Sequence, residues 1–572
     1  MKRNIDNIAD WVAYKFVMEG IDRVFVYPGG TIAPLINACI KFNIKIECFN
    51  NEQGSAYAAL AYSRIRNKPQ VVMVTSGPGV TNVISPLADA YYDSTPLIVI
   101  TGQIGTADLT TRLEVRQRGF QETPTVDITK PISKKSSCLL TTDDVFSEVP
   151  DAFDITVKGR MGPCVLDFPM DVQRTEISSF DLPTRSNSNL EKLSESEEII
   201  IEEGILEAIS ESKRSVILLG HGSLSLHDSS LLETISKNMD ALVVSSFLGL
   251  GSFDSSSERF LGYIGHTGHQ VANLAIANCD LLLVLGSRLD VRQTGTEVTS
   301  FASNAKVISV NNDQKELDNS RVHIDWPINV DVNLFCRGLQ KSLEHNKSFS
   351  DSSWKSSMEN MIEQRLDDIP MKRSNNIQPR DFLDKLAGLI SQDETILVTG
   401  VGCHQHWAAR HLPFKPKTNT FLTSAGHGTM GYDIPSSIGA AMASPEKRIV
   451  CIVGDGSALM NIQELAFLKD SDLDIKIIVF NNSRLGIVSQ FQLITWGVDP
   501  TTGDFRPQDF RSIANGFGIN SNKLSEKEDI RAKIEWIWEQ KGPALLDVMI
   551  DPSADVRPML LAGQTMDDMW KG

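Results

Sequence analysis

A chain of 572 residues divides into three or four domains of ordinary size, and its formal net charge of -17 disfavours nonspecific contact with nucleic acid or anionic lipid. No apolar run reaches membrane-spanning length and the first residues (Met-Lys-Arg-Asn-Ile-Asp) lack a signal-peptide core, so a cytoplasmic enzyme with no membrane partner is expected. The eight cysteines are scattered with no C-x-x-C pair, which argues for reduced, mostly core thiols rather than a disulfide framework or a zinc site.

In chain order, the first block (1–180) has β-branched apolar runs that predict strands over 24–26, 45–49, 70–75, 97–101 and 163–168. Within it, Asn50-Asn51-Glu52-Gln53-Gly54 follows a strand and opens an Ala-rich run over 55–62, which places Glu52 at a helix entrance. On position alone that glutamate is a favourable first-turn charge facing the helix dipole. A Ser-rich, charged stretch over 180–198 reads as a linker. The middle block (195–345) predicts strands over 215–219, 241–244, 280–285 and 306–310, and a second polar stretch over 340–376 leads to the third block (375–555) and a tail (556–572). Strands alternating with helical stretches imply an α/β fold of three doubly wound, parallel, Rossmann-like sheets.

The third block holds a pair of polar segments. Gly454-Asp455-Gly456 ends the apolar run 448–453, Asn481-Asn482 ends the run 475–480, and residues 461–468 between them have helical period. In a strand, helix, strand unit both turns emerge at the carboxyl edge of the sheet, where open α/β folds bind ligands. Asp455 and the Asn482 amide oxygen are hard ligands of the kind Mg2+ takes when it shares its shell with a phosphate, and the glycines let backbone N–H groups approach the anion. Either motif alone is also ordinary punctuation of a strand end.

Taken as a pair, Gly-Asp-Gly followed by Asn-Asn resembles the thiamine diphosphate (ThDP) signature. Residues 460–465 (Met-Asn-Ile-Gln-Glu-Leu) and 481–490 (Asn-Asn-Ser-Arg-Leu-Gly-Ile-Val-Ser-Gln) resemble acetolactate (acetohydroxyacid) synthase large subunits in particular. The resemblance covers essentially the whole chain and implies a pyrimidine-binding domain, a central FAD-binding-like domain and a diphosphate-binding domain. It implies Asp455, Asn482 and the backbone carbonyl of Arg484 as metal ligands, with Gly454, Gly456, Ser457 and Gly486 around the diphosphate. Residues 400–407 (Gly-Val-Gly-Cys-His-Gln-His-Trp) add Val401, Gly402, Cys403 and His404, although the family usually has glutamine where this chain has Cys403. In residues 426–431, Gly428 would receive the aminopyrimidine amino group on its backbone and Met430 would wedge the cofactor into a V shape.

From the first block the resemblance adds Gly29 and Asn82, with Glu52 bound to the N1' nitrogen of the aminopyrimidine so that its amino nitrogen acts as base at the thiazolium C2. Phe120 and Gln121 correspond to a Phe-Gln pair in the active-site channel. For FAD, which is not a net redox participant in the family, it implies Arg160, Ser246, Phe247, Gly265, His266, Gly286, Arg288, Asp290 and Arg292; the guanidinium groups are planar donors suited to phosphate. Because the first domain of one subunit faces the third domain of another in such enzymes, a homodimer or tetramer with the active site at the interface is implied. A regulatory subunit stays open.

Departures from the family cluster on the acceptor side. Residues 104–119, with Arg112, Arg116 and Arg118, form a longer segment than is usual; Met170 replaces a lysine, Phe491 a tryptophan and Val291 an acidic residue. The reading that follows is a ThDP- and Mg2+-dependent carboligase that decarboxylates pyruvate and transfers the two-carbon unit to a second 2-oxo acid. The alternative keeps the donor chemistry and uses a nucleotide-activated keto sugar as acceptor. A pyruvate oxidase or decarboxylase, or a noncatalytic homologue, stands behind both.

Overall fold

The computed structural model describes residues 4–110, 115–177, 199–226, 228, 230–343, 352–363, 376–498 and 506–571; the expected linker, most of the second polar stretch and Arg112 lie outside these. The described residues build three six-stranded sheets. The first comprises β1 (Arg23–Val26), β2 (Lys45–Cys48), β3 (Gln70–Val74), β4 (Leu97–Gln103), β5 (Lys135–Cys138) and β6 (Cys164–Pro169). The second comprises β7 (Ser215–Leu219), β8 (Leu242–Ser245), β9 (Phe260–Tyr263), β10 (Leu281–Leu285), β11 (Lys306–Val310) and β12 (Trp326–Ile328). The third comprises β13 (Thr395–Thr399), β14 (Asn419–Thr423), β15 (Arg448–Gly454), β16 (Ile475–Asn481), β17 (Asn520–Leu524) and β18 (Ala544–Met549).

Every pairing between these strands is parallel. Helices cover both faces, so central strands such as Val-Val-Met-Val in β3 and Leu-Leu-Leu-Val-Leu in β10 are buried throughout rather than alternating. The expected α/β architecture of three parallel sheets is what the chain adopts.

The sheet orders, β2-β1-β3-β4-β6-β5, β12-β11-β10-β7-β8-β9 and β14-β13-β15-β16-β18-β17, share one property. In each, two adjacent strands send the chain off in opposite directions: β1 and β3, β7 and β10, β13 and β15. The loops leaving such a pair diverge and open a crevice at the carboxyl edge.

The first and third sheets dock through two helices of small residues, Glu52–Arg66 and Asp433–Ala443. A side chain on Gly439 would lie 2.0 Å from the carbonyl oxygen of Ala58, so glycine is what lets the two backbones approach this closely. Residues 461–468 differ from the single expected helix. The helix begins directly at Asp455 and runs Asp455–Met460, followed by a 3-10 turn Ile462–Glu464 and a short helix Leu465–Leu468. Gly454 takes the extended N-cap conformation and Asp455 then supplies the acidic first-turn residue that favours a helix start at that point.

Candidate cofactor and active site

The crevice of the third sheet lies between the loops after β13 and β15, with the turn after β16 alongside. Asp455 is buried; its Oδ1 accepts the Gly456 N–H at 2.8 Å, while its Oδ2 is buried with no partner. Burial raises this carboxyl to about 6 against the opposing pull of N–H groups from Gly456, Ser483, Arg484 and Asn482, which puts the turn after β16 beside it. The Asn482 side-chain oxygen folds back to accept the Arg484 N–H at 3.1 Å. A buried carboxylate oxygen with no donor, next to an amide oxygen and a turn of backbone, fits a hard divalent cation. Among the described residues no group of three or more His, Cys, Asp or Glu side chains could hold a metal, so such an ion needs main-chain and anion oxygens to complete its shell.

Around Asp455 the glycines form a cradle. A Cβ on Gly454 would meet His404 Nδ1 at 2.9 Å, one on Gly402 would meet the same ring at 2.8 Å, and one on Gly486 would meet Cys403 Sγ at 3.0 Å and Asn482 Nδ2 at 3.3 Å. The structure thus gathers Gly402, Cys403, His404, Gly454, Asp455, Asn482 and Gly486 at one edge. Cys403 is buried, and burial pushes its thiol up, so it stays protonated. Gly428 is at φ +76°, and a Cβ there would meet Val401 Cγ2 at 3.9 Å. Its loop is held from several sides: Ala425 N–H and Gly426 N–H donate to Asp93 at 3.0 and 2.8 Å, and Thr429 N–H donates to Ser424 Oγ. Gly431 N–H donates to Ser457 Oγ at 2.8 Å, and Met430 is half-buried between these anchors.

In the first sheet, Glu52 opens its helix behind the N-cap Asn51, whose side chain accepts the Gly54 N–H. Its carboxyl is buried, and Oε2 accepts Asn82 Nδ2 at 2.9 Å. Gly29, from the loop after β1, lies so close to Thr75 after β3 that a Cβ would come within 2.4 Å. Gln121 adopts φ +65° against Gly77, and the adjacent Phe120 is 85% exposed. The neighbours of the Glu52 helix entrance in the third sheet are Asn461 and Glu464, through Asn51 and Asn50, at the far end of the segment that Asp455 begins.

The crevice of the middle sheet is lined by glycine backbone, with Gly222 N–H donating to the Gly286 carbonyl and a Cβ on Gly220 only 2.2 Å from that oxygen. Ser246 caps a short turn by accepting the Gly249 N–H. Arg292 ties the crevice to the third sheet: its Nη1 donates to the Ala425 carbonyl, its guanidinium lies over Phe247, and its own carbonyl accepts the His266 N–H beside Gly265. Asp290 accepts from Arg288 Nε at 3.1 Å and from the Arg292 N–H at 2.9 Å. Burial, with Arg292 nearby, lowers His266 to about 4, and its Nε2 has no partner. Arg160, from the first domain, makes ion pairs with Asp313 and Glu316 after β11 and a hydrogen bond to Ser94. A glycine-lined backbone edge with arginine donors suits a dinucleotide-sized anion.

Asp433, Asp93 and Arg64 escape sequence reasoning although they shape these crevices. Arg64 ion-pairs with Asp93 and donates to the Thr423 carbonyl, and Asp433 meets His404, Gly400 and Ser457. Asp433 looks in the sequence like one more acidic first-turn residue, and nothing local signals a partner near residue 404.

Family models match all three blocks: the thiamine pyrophosphate enzyme N-terminal TPP binding domain over residues 6–129, the central domain over 203–339 and the C-terminal TPP binding domain over 400–548. The chain is 35% identical to acetolactate synthase 1, chloroplastic, of Zea mays over 567 residues, 96% of this chain and 86% of that one. It is 34% identical to the probable acetolactate synthase 2, chloroplastic, of Oryza sativa subsp. japonica (98% and 85% covered) and 33% identical to the acetolactate synthase, chloroplastic, of Arabidopsis thaliana (98% and 84%). Three parallel sheets with glycine-lined crevices and this similarity along the whole length have one reading: the chain belongs to the thiamine pyrophosphate enzymes and is a ThDP-dependent carboligase of the acetolactate synthase type.

Proposed function

We propose that this enzyme joins two 2-oxo acids, releasing CO2 from a pyruvate donor and adding the remaining two-carbon unit to the carbonyl of the acceptor. The observation that carries the reading is the unpartnered, buried Oδ2 of Asp455 inside a glycine cradle at the switch point of the third sheet. Mg2+ would be held by Asp455, Asn482 and the Arg484 carbonyl, and the diphosphate by Val401, Gly402, Cys403, His404, Gly454, Gly456, Ser457 and Gly486. When bound, ThDP would supply a carbon acid whose conjugate base is nucleophilic, together with an electron sink for the pair left when CO2 departs.

The chain's own residues do the rest. Asn82 engages one oxygen of the Glu52 carboxyl and leaves the other to exchange a proton with a ring nitrogen. Gly428, at a backbone angle that a side chain would strain, would hold the aminopyrimidine through its backbone, and Met430 would pack against the cofactor. Gly29 and Asn82 line the pyrimidine side, while Phe120 and Gln121 border the channel. Arg160, Ser246, Phe247, Gly265, His266, Gly286, Arg288, Asp290 and Arg292 would hold FAD, with no net redox role. Small molecules are the substrates, and a homodimer or tetramer is the working unit.

A second reading, with a nucleotide-activated keto sugar as acceptor, is favoured by the segment over 104–119. Glu122 accepts from Thr110 N–H and Oγ1 and from the Arg118 and Gly119 N–H groups, and Arg116, Arg118 and Phe120 face solvent.

Purified protein incubated with ThDP, Mg2+, FAD and pyruvate is expected to release CO2 and form acetolactate. No acetolactate from pyruvate alone, with product once a keto-sugar nucleotide is added, would overturn the 2-oxo acid acceptor. Glu52→Gln is expected to slow exchange of the ThDP C2 proton by at least about 100-fold while changing cofactor affinity little; exchange at the wild-type rate would refute the role given to Glu52.

A further inference from the structure

One carboxylate ties together three segments of the third crevice. Asp433 is fully buried at the start of the helix Asp433–Ala443. Its Oδ1 accepts the Gly400 N–H at the end of β13 and faces His404 Nε2 at 3.2 Å, while its Oδ2 accepts the Ser457 hydroxyl. Gly400 has to be glycine for this, because a Cβ there would lie 2.3 Å from Asp433 Oδ2. A carboxylate surrounded by donors assigns the hydrogen of His404 to Nε2.

The other edge of the His404 ring, Nδ1 and Cε1, then lies against Gly402 and Gly454, within 2.8 to 3.3 Å of where their side chains would begin. Those are two of the three glycines whose missing side chains open the cradle. Among the described residues Asp433 is the hydrogen-bond partner of the ring, and a buried partner on the far nitrogen is the usual means by which a protein orients a functional imidazole.

We propose that Asp433 is a positioning residue for diphosphate binding: by holding His404 Nε2 it sets the ring edge presented between Gly402 and Gly454. The inference rests on the reading of this crevice as the ThDP site. A purely structural tie between the same three segments would stabilise the chain without acting through His404, and the two roles separate in a double-mutant cycle.

ThDP affinity at saturating Mg2+, measured by calorimetry on the full chain, is compared for wild type, Asp433→Asn, His404→Gln and the double variant. Each single change is expected to weaken binding about tenfold, and the double variant to fall within about twofold of His404→Gln alone. Losses that multiply to about 100-fold in the double variant would overturn the proposal. Wild-type protein that fails to bind ThDP would instead defeat the assignment of the site.

A second measurement does not depend on Asp433→Asn folding. In wild-type protein labelled with 15N-histidine, a slowly exchanging, hydrogen-bonded ring N–H is expected that disappears in His404→Gln. A spectrum without such a resonance overturns the proposal.

Discussion

Buried carboxylates in this chain are held in different ways. Asp433 ties three segments together, whereas Asp167, on β6, is buried within its own domain among Thr101 Oγ1 at 2.6 Å and Gln103 Nε2 at 2.9 Å, with Thr125 and Cys138 also donating. Burial wins, and the Asp167 carboxyl is raised to about 6 in spite of those hydrogen bonds. A carboxyl whose folded value lies above its unfolded value of about 4 is taken up as the protonated form on folding, so its contribution is complete below pH 4 and is lost as pH rises through 6. The loss is bounded by two units, up to roughly 3 kcal/mol. Asp167→Asn removes the titration. The melting temperature of the variant relative to wild type is therefore expected to rise between pH 4.5 and 7.5, and a constant difference across that range would show that Asp167 titrates normally. Gln103 also donates to the Thr123 carbonyl, so this carboxylate braces the edge from which residues 104–119 depart.

Between elements, the contact that joins the first and third sheets is made by glycine and alanine. Alanine is ordinarily better than glycine inside a helix by about 1 kcal/mol, so at a site without close neighbours Gly439→Ala would stabilise. Here the added carbon meets backbone of the facing helix, which has no rotamer to change, and overpacking of this kind costs about 1–3 kcal/mol. The sign of the change in melting temperature decides the matter, and a fall is expected.

This contact is also where sequence reading reached its limit. The Ala-rich run announced the helix Glu52–Arg66, but small residues carry no signal of what lies opposite. The buried strands β3, β4, β6, β7, β8, β10, β11, β15 and β16 were legible because both faces are apolar. The strands β5, β9, β12, β13, β14, β17 and β18 were not expected: β5 (Lys-Ser-Ser-Cys) has no apolar pattern and β9 and β12 are three or four residues long at sheet edges, whereas β13 is buried throughout and its length gives no such reason. Motif residues such as Asp455 and Glu52 stood out because cofactor chemistry limits which side chains serve, whereas Asp433 does its work through a contact between segments 29 residues apart.

At the scale of the molecule, Glu52 and Asp455 raise a question that one chain answers only in part. The Glu52 helix entrance is bonded to Asn461 and Glu464, at the end of the segment away from Asp455. Large apolar side chains of the first and third domains also face solvent: Phe120, Leu459, Met460, Leu493 and Trp496 are all exposed, the last by 70%. Exposed apolar side chains of this kind are what a second copy would cover, and in the proposed dimer an isologous pair would give each site Glu52 from one chain and Asp455 from the other. The arrangement is tested by complementation. Glu52→Gln and Asp455→Ala are each expected to be inactive alone. Co-expressed with different tags and isolated as the mixed dimer, they contain one fully wild-type site and one doubly altered site, so about half of wild-type activity per dimer returns. Sites built within a single chain would give none, because each chain then carries its own defect.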